Sequence, residues 1–141
     1  MLARLTAEFR DFAPLPLRVV MGLAFMVHGY PKITAMAATA ERFAQMGFVP
    51  GIFWGPLVAI VEFVGGVCLV LGLLTRYWSV ALAGEMAVTT LRVKIAGGTP
   101  FVTSRAMGYE LDLIFLAVAL TLVILGSGAI SVDRTILKKD L

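Results

Sequence analysis

Seven ionisable side chains occur inside stretches of this sequence that are otherwise apolar. They are Arg18, His28, Glu62, Glu85, Arg92, Glu110 and Asp112. A charged side chain near the centre of a bilayer costs at least about 2.5–3.5 kcal/mol, and it is tolerated where it faces other protein and finds a partner. Because an imidazole and a carboxyl group can both take up and release protons, His28 and Glu62 are the predicted catalytic residues.

The spacing of these residues indicates that they share one interior. In the second apolar stretch, Glu62 lies on one helical stripe with Gly55 and Gly66, so a neighbouring helix can approach the carboxyl group. In the third stretch, Glu85 and Arg92 lie on one face. At a rise of about 1.5 Å per residue, Glu62 is expected near the middle of the membrane. The spacing thus predicts a polar cluster in the middle and outer half of the membrane.

This cluster predicts a binding site for a cofactor. The candidate binding residues are Arg18, His28, Glu62, Glu85, Arg92 and Glu110. We expect Glu85 within reach of Arg18 or Arg92, and Glu62 near Arg92 or His28. The alternative is that the same residues form structural ion pairs that hold the helices together.

The other polar residues do not indicate a metal centre. Asp112 points about 200° away from Glu110 on a helical wheel, which favours a structural or mouth-capping role for it. His28 and Cys68 lie on different predicted helices and lack metal-ligand spacing. Since Cys68 is the single cysteine, the chain can form neither an intrachain disulfide nor a dithiol.

Composition predicts that these residues lie in a membrane protein. Apolar residues make up 60% of the 141 residues and charged residues 15%, against about 45–50% and about 25% in soluble domains. The mean hydropathy is +0.93. Four stretches approach the roughly 20 residues that cross a bilayer, namely residues 17–33, 54–74, 77–96 and 107–125. We therefore expect an all-α integral membrane four-helix bundle that forms a single membrane domain over residues 1–141.

Three connecting segments have patterns of their own. Residues 1–13 carry a helical stripe that predicts a short N-terminal helix in the membrane interface; it consists of Leu2, Leu5, Phe9 and Phe12. The link over residues 34–53 contains a possible short helix, Thr39 to Met46, which would lie over the bundle as a lid. Only Thr75 and Arg76 separate the second and third predicted spans, which favours an antiparallel hairpin.

These polar residues and the glycines near them, taken in order, resemble the DoxX family of small four-helix membrane proteins. The first stretch contributes Arg18, Gly22, Phe25, His28-Gly29 and Lys32. The second contributes Glu62-x-x-Gly65-Gly66-x-x-Leu69-x-x-Gly72-Leu73-x-Thr75-Arg76. The C-terminal part contributes Glu110-Leu111 and Gly126-x-Gly128-x-x-Ser131-x-Asp133. The resemblance covers nearly the whole chain.

The resemblance implies a membrane subunit of a redox system. Members of the family include the large subunit of thiosulfate:quinone oxidoreductase and partners of thiol- or superoxide-detoxifying enzymes. The implied chemistry is the transfer of electrons from a partner protein, or from a small sulfur or thiol substrate, to a quinone in the lipid. The pattern also implies a histidine late in the third span, where this chain has Arg92 and Lys94.

Two other functions stay open on the sequence. The chain could be a noncatalytic membrane anchor or assembly subunit for a partner complex, and its small size and short loops suit that role. It could also be a small transporter or proton path. Four predicted helices are few for that role, and the sequence shows no evident inverted repeats. The sequence shows no haem-ligand pair or flavin fingerprint, so a redox role would need an electron donor outside the chain. Homo-oligomers are possible in each case.

The basic residues indicate the orientation and the compartment. With the N-terminus inside, the exposed cytoplasmic set is Arg4, Arg10, Arg76, Arg134, Lys138 and Lys139. The opposite side would carry Arg42 and Arg105, with Lys32, Arg92 and Lys94 in or near helix ends. Because basic residues are retained in the cytoplasm, both termini are predicted there, in an inner membrane. The net charge of +3 includes no basic run with interleaved aromatics, so nucleic acid is not an expected partner.

A reporter fused after Leu141 tests this orientation. We expect green fluorescent protein at that position to fluoresce and alkaline phosphatase to be inactive, because the positive-inside bias places Leu141 in the cytoplasm. A phosphatase fusion after Gly47 serves as the control and should be active. Phosphatase activity from the Leu141 fusion would reverse the orientation and move the polar cluster to the inner half of the membrane.

Overall fold

The computed structural model describes residues 6–7, 9–104 and 107–139, and its regular secondary structure is helical. A short 3-10 turn, Arg10–Phe12, precedes six α-helices. The helices are α1 Pro14–Thr34, α2 Met36–Gln45, α3 Gly51–Leu71, α4 Thr75–Val88, α5 Glu110–Leu125 and α6 Val132–Thr135. A π-helix over Thr89–Ile95 continues α4 without a break. The predicted all-α class is confirmed.

Two helical segments in the described part of the chain are long and apolar enough to cross a membrane. They are Arg10–Thr34 and Gly51–Leu71, with mean hydropathies of 1.4 and 2.0. The third segment combines the 14 residues of α4 with the seven of the π-helix. Helix α5 has 16 residues, which at about 1.5 Å each is shorter than the roughly 30 Å hydrocarbon core. Crossing by the third and fourth segments therefore stays a prediction.

The helices α1, α3, α4 and α5 pack around one apolar core, and α1 and α3 share the largest contact. The core side chains are Met21, Phe25, Leu69, Leu82, Ala83, Met86, Ala119 and Leu122. Many large apolar side chains instead point outward, including Val20, Val27, Ile52 and Ile124. Outward-facing apolar surface of this extent is suited to contact with lipid.

Glycines bring α1 and α3 close together. A Cβ atom on Gly66 would lie 2.7 Å from the carbonyl oxygen of Gly22, and one on Gly29 would lie 2.6 Å from the backbone nitrogen of Phe63. In lipid, helices associate through close packing because the surrounding tails are as apolar as the side chains. These glycines therefore fix the distance and register of the two helices.

The turn between α3 and α4 differs from the predicted one. Thr75 and Arg76 are helical residues of α4, and the turn is Gly72–Leu74. Gly72 ends α3 with φ +67°, the left-handed conformation typical of helix C-termini. The three-residue turn lies earlier than expected because this glycine, rather than the polar Thr75-Arg76 pair, ends the helix. The α3–α4 hairpin itself is present.

Buried polar groups fasten this end of the structure, which we call the turn end; it contains Gly72–Leu74 and α6. The Asp133 carboxylate accepts hydrogen bonds from the backbone N–H groups of Leu74 and Thr75, at 2.8 and 3.2 Å. Arg18 Nη1 donates to the carbonyl oxygen of Val70 at 3.1 Å. Asp133 thereby caps the start of α4, and Arg18 satisfies a carbonyl at the end of α3.

The two other predicted connections have different outcomes. The lid helix is present as α2, longer than predicted, and it packs on α3 and α1. Of the predicted N-terminal helix, Met1–Leu5 and Glu8 lie outside the described residues. Phe9 and Phe12 are exposed beside one another, in a segment that includes the 3-10 turn.

Gly66→Ala tests the close approach of α1 and α3. We expect the free energy of unfolding to fall by about 1–3 kcal/mol, because the added methyl group forces the two backbones apart. Thermal unfolding in detergent, followed by circular dichroism, measures the loss. Gly84→Ala is the matched control, since a Cβ atom there would meet nothing within 4 Å. Equal melting temperatures for Gly66→Ala and the wild type would contradict the packing argument.

Candidate functional site

A cavity of about 950 Å³ opens between the helices at the end where α2 lies, which we call the lid end. Its walls are mostly apolar and aromatic, with polar groups at a few positions. The apolar lining includes Phe25, Phe43, Phe48, Trp54, Leu57, Val58, Val61, Met86, Val88 and Phe115. The polar lining includes His28, Lys32, Arg42, Glu62, Glu85, Arg92, Lys94 and Asp112. Its volume and composition are those of a small-molecule site.

Glu62 is buried in the cavity wall and forms an ion pair with Lys32. The carboxylate residue is 4% exposed, and its Oε1 accepts a hydrogen bond from Lys32 Nζ. Lys32 lies in the last turn of α1. Helical side chains tilt toward the helix N-terminus, so Lys32 points back into the cavity. Lys32 thus occupies the place beside Glu62 where Arg92 or His28 was expected.

Glu85 lies next to Glu62 across the α3–α4 contact. The two carboxyl groups are within hydrogen-bonding range of one another. Oε2 of each is buried and has no hydrogen-bond donor among the residues that the structure describes. Arg18 and Arg92 were expected within reach of Glu85. The Arg18 guanidinium bonds to carbonyls of α3 at the turn end, and Arg92, which lines the same cavity as Glu85, lies over a phenyl ring.

A second ion pair closes the opposite wall. Lys94 Nζ lies 2.8 Å from Asp112 Oδ1 and donates to the carbonyl oxygen of Gly108 at 3.0 Å. Lys94 belongs to the π-helix, and Asp112 to the first turn of α5. Asp112 is thus a structural partner at the cavity wall, in line with its predicted role. Irregular helical turns of this kind are frequent at functional sites.

Two arginines and a histidine lie at the mouth of the cavity, where their side chains are exposed. Arg92 is positioned over the ring of Phe48, with its Cζ atom 5.7 Å from the ring centroid. Arg42 on α2 and His28 on α1 line the same mouth. His28 and Arg42, together with Lys32, also line an adjoining groove of about 530 Å³ between α1 and α2. The mouth therefore presents positive charge and hydrogen-bond donors toward the lid end.

The structure brings together four of the six predicted binding residues. His28, Glu62, Glu85 and Arg92 line the one cavity. Arg18 lies at the turn end, where it bonds to carbonyls of α3. Glu110 opens α5 with its N–H donating to the carbonyl oxygen of Phe101 at 3.2 Å, outside the cavity lining. Arg18 and Glu110 are therefore not included in the site that we propose.

Sequence reasoning did not include Lys32, Lys94 or Arg42 in the site. Lys32 follows His28 by four residues, so the helical period places both on one face, and that signal was available. Lys94 needs the π-helix to reach the cavity, since the period of an ordinary helix assigns Arg92 and not Lys94 to the face of Glu85. Arg42 depends on how α2 folds back over the helices, which no local pattern indicates.

Comparison with known proteins places this geometry in a family. The DoxX family model matches residues 13–95, which include α1, α2, α3, α4 and the π-helix. The chain is 34% identical over 134 residues to Inner membrane protein YqjF of Escherichia coli, covering 94% of this chain and 98% of that protein. It is 32% identical over 128 residues to Putative oxidoreductase CatD of Bacillus subtilis, covering 91% and 90%.

A third relative is Uncharacterized membrane protein Rv3486 of Mycobacterium tuberculosis, which is 31% identical over 131 residues, covering 87% of this chain and 80% of that protein. No solved structure matches the chain. The matches to YqjF and CatD run through nearly all of both partners. The resemblance therefore extends over the cavity-lining helices as well as the ends of the chain.

Lys32→Met tests the buried ion pair. We expect the free energy of unfolding to fall by up to about 3–5 kcal/mol, because the substitution leaves Glu62 buried without its cation. Adding Glu62→Gln to the same chain should recover much of the loss. The control is Asp11→Asn, which breaks an exposed 3.0 Å pair with Arg134 and should cost about 0–1 kcal/mol. Equal losses from the buried and the exposed pair would contradict this account.

Proposed function

The chain belongs to the DoxX family of membrane proteins, and we propose that it is the membrane subunit of a redox system that binds a quinone in the cavity at the lid end. In this proposal α1, α3, the continuous α4 and π-helix, and α5 each cross the bilayer as one domain. Electrons come from a partner protein or from a small sulfur or thiol substrate. Both termini face the cytoplasm, which directs the lid end outward.

The observation that carries the proposal is the composition of the cavity. A quinone joins a flat head, with two carbonyl oxygens, to an apolar tail. The apolar and aromatic walls between the helices suit the tail. Lys32, His28 and Arg92 offer N–H donors for the carbonyl oxygens at the polar end of the same cavity. The site thus matches both parts of one ligand class.

The carboxyl groups suit the proton chemistry of such a ligand. Reduction of a quinone to a quinol takes up two electrons and two protons. Glu62 and Glu85 line the cavity with Oε2 of each buried, so a carboxyl group can give a proton to a carbonyl oxygen of the bound head. Lys32 stabilises the carboxylate that remains. The relative whose printed name is an oxidoreductase supports a redox role, and its name specifies neither substrate nor acceptor.

The two tryptophans of the chain allow a direct test of quinone binding. Trp54 lines the cavity, and Trp78 packs against the apolar core outside it. We expect a short-tailed ubiquinone analogue to quench the fluorescence of the Trp78→Phe variant, in which Trp54 remains, with saturation near one quinone per protein. The Trp54→Phe variant, in which Trp78 remains, is the matched control and should show weak quenching that rises without saturation.

Other outcomes separate the alternative functions. Unsaturable quenching of both variants would contradict a quinone site and favour a noncatalytic anchor. In that case Gly84→Trp, which would fill the cavity from α4, should leave recovery of a partner complex unchanged. Under the quinone proposal, Gly84→Trp in a Trp78→Phe background should abolish the saturable quenching of Trp54. The loss of fluorescence on adding the quinone analogue is measured relative to the fluorescence of the same variant before the addition.

A further inference from the structure

Of the three carboxyl groups that line the cavity, two form ion pairs within the described part of the chain. Lys32 pairs with Glu62 and Lys94 pairs with Asp112. Glu85 has no cation of its own among the described residues. A carboxylate without a counter-charge in an apolar interior is costly, and such a group becomes neutral instead of staying charged. We therefore expect one proton on the carboxyl groups of the cavity, to neutralise the charge that has no cation.

Other charged groups face the same space. From α1 these are His28 and Lys32, from α2 Arg42, from the π-helix Arg92 and Lys94, and from α5 Asp112. Arg92 is held over Phe48, and Arg92, His28 and Arg42 are exposed at the mouth, where their surroundings screen them. They do not serve Glu85 as a buried partner in the way that Lys32 serves Glu62.

The contact between Glu62 and Glu85 specifies where the proton lies. The two carboxyl groups are within hydrogen-bonding range, yet within the described part of the chain Oε2 of each has no donor. Two ionised carboxylates at this range would repel one another. One proton between them turns the repulsion into a hydrogen bond and satisfies an oxygen on each side. The proton then belongs to the pair, since strongly interacting sites titrate together.

Access to the pair is one-sided. Toward the turn end, the next buried polar groups on α4 are Ser79 and Thr75, and their hydroxyl oxygens have no hydrogen-bond partner among the described residues. Ser79 precedes Glu85 by six residues, about 9 Å along the helix, and Leu82 lies between them with no exposed surface. Leu69 and Leu122 are also fully buried in this layer. An apolar layer of this kind stays dry and cannot carry a proton.

We propose that Glu62 and Glu85 hold one proton between them, balanced by Lys32, and exchange it with the lid end only. This inference rests on the proposed function for its purpose: the pair gives its proton to a quinone oxygen and is reprotonated from the lid end, and a second proton follows by the same route. The two electrons come from the partner or the sulfur substrate. The proton-holding pair itself exists without a quinone, which separates the two tests.

Infrared spectroscopy of the full chain in lipid nanodiscs tests the shared proton. In the wild type we expect a carbonyl band of a protonated carboxyl group that shifts in D₂O. Glu85→Gln and Glu62→Gln should each remove it, because Lys32 then balances the one carboxylate that is left. Lys32→Met should raise it about twofold, since both carboxyl groups then lack a cation and take up protons. Glu41→Gln, on the exposed face of α2, is the control and should leave it unchanged.

Three results would overturn the pair. They are a wild-type spectrum without such a band, a band that survives both glutamine variants, and a band removed by Glu85→Gln but not by Glu62→Gln. Only material that elutes as a folded monodisperse species is compared, and both Gln side chains keep the shape of the original. None of these measurements contains a quinone. A failed quenching experiment with the expected spectra would therefore reject the quinone and keep the proton-holding pair.

Cysteine labelling in oriented membrane vesicles tests the side of access. In a Cys68→Ala background, Glu85→Cys should react with a charged, impermeant thiosulfonate from the side that labels Gln45→Cys on α2. It should be protected from the side that labels Leu137→Cys. Reaction from the Leu137 side, or no reaction from the Gln45 side, would contradict one-sided access. Ser79→Cys is the matched control below the apolar layer and should not react from the Gln45 side.

Discussion

The close contact between α1 and α3 is the constraint on which the rest of the structure depends. Lipid tails offer no hydrophobic gain from helix association, so the contact must come from packing at short range. Gly22 against Gly66, and Gly29 against Phe63, allow backbone atoms to approach where a methyl group would collide. This approach also sets the register that places Lys32 opposite Glu62. A shift of one helical turn, about 5.4 Å, would leave the Glu62 carboxylate without its cation.

The same register explains how a buried charge and an open cavity coexist in so small a chain. The apolar core on the turn-end side consists of side chains with little or no exposed surface, and it holds the four long helical segments together. On the lid side the walls separate, and the π-helix carries Arg92 and Lys94 to the cavity. The core and the cavity meet at Phe25 and Met86, which belong to the buried core and also line the cavity.

The residues of this chain show which features a sequence predicts. The length of α1 and α3, and the inward direction of Glu62 and Glu85, follow from apolar length and the 3.6-residue period. The pairing of Glu62 with Lys32 does not follow, because a wheel gives a side chain's face and not how far a flexible lysine reaches along the axis. Leu74 in the left-handed conformation was equally hidden, since Asp133, which bonds to its N–H, is 59 residues away in the chain.

The two buried polar clusters differ in a way that separates structure from chemistry. At the turn end, Arg18 and Asp133 bond to backbone groups that the ends of α3 and α4 leave open. These hydrogen bonds offset part of the cost of burying the two side chains, although Arg18 Nε has no partner among the described residues. In the cavity, Glu62, Glu85 and Asp112 each keep a side-chain oxygen that has no hydrogen-bond partner among the described residues. Unsatisfied oxygens are destabilising for a folded chain, and they are retained where a proton or a ligand completes them. Three carboxyl groups with an unsatisfied oxygen therefore line one cavity, whereas the charged groups of the turn end bond mainly to the backbone.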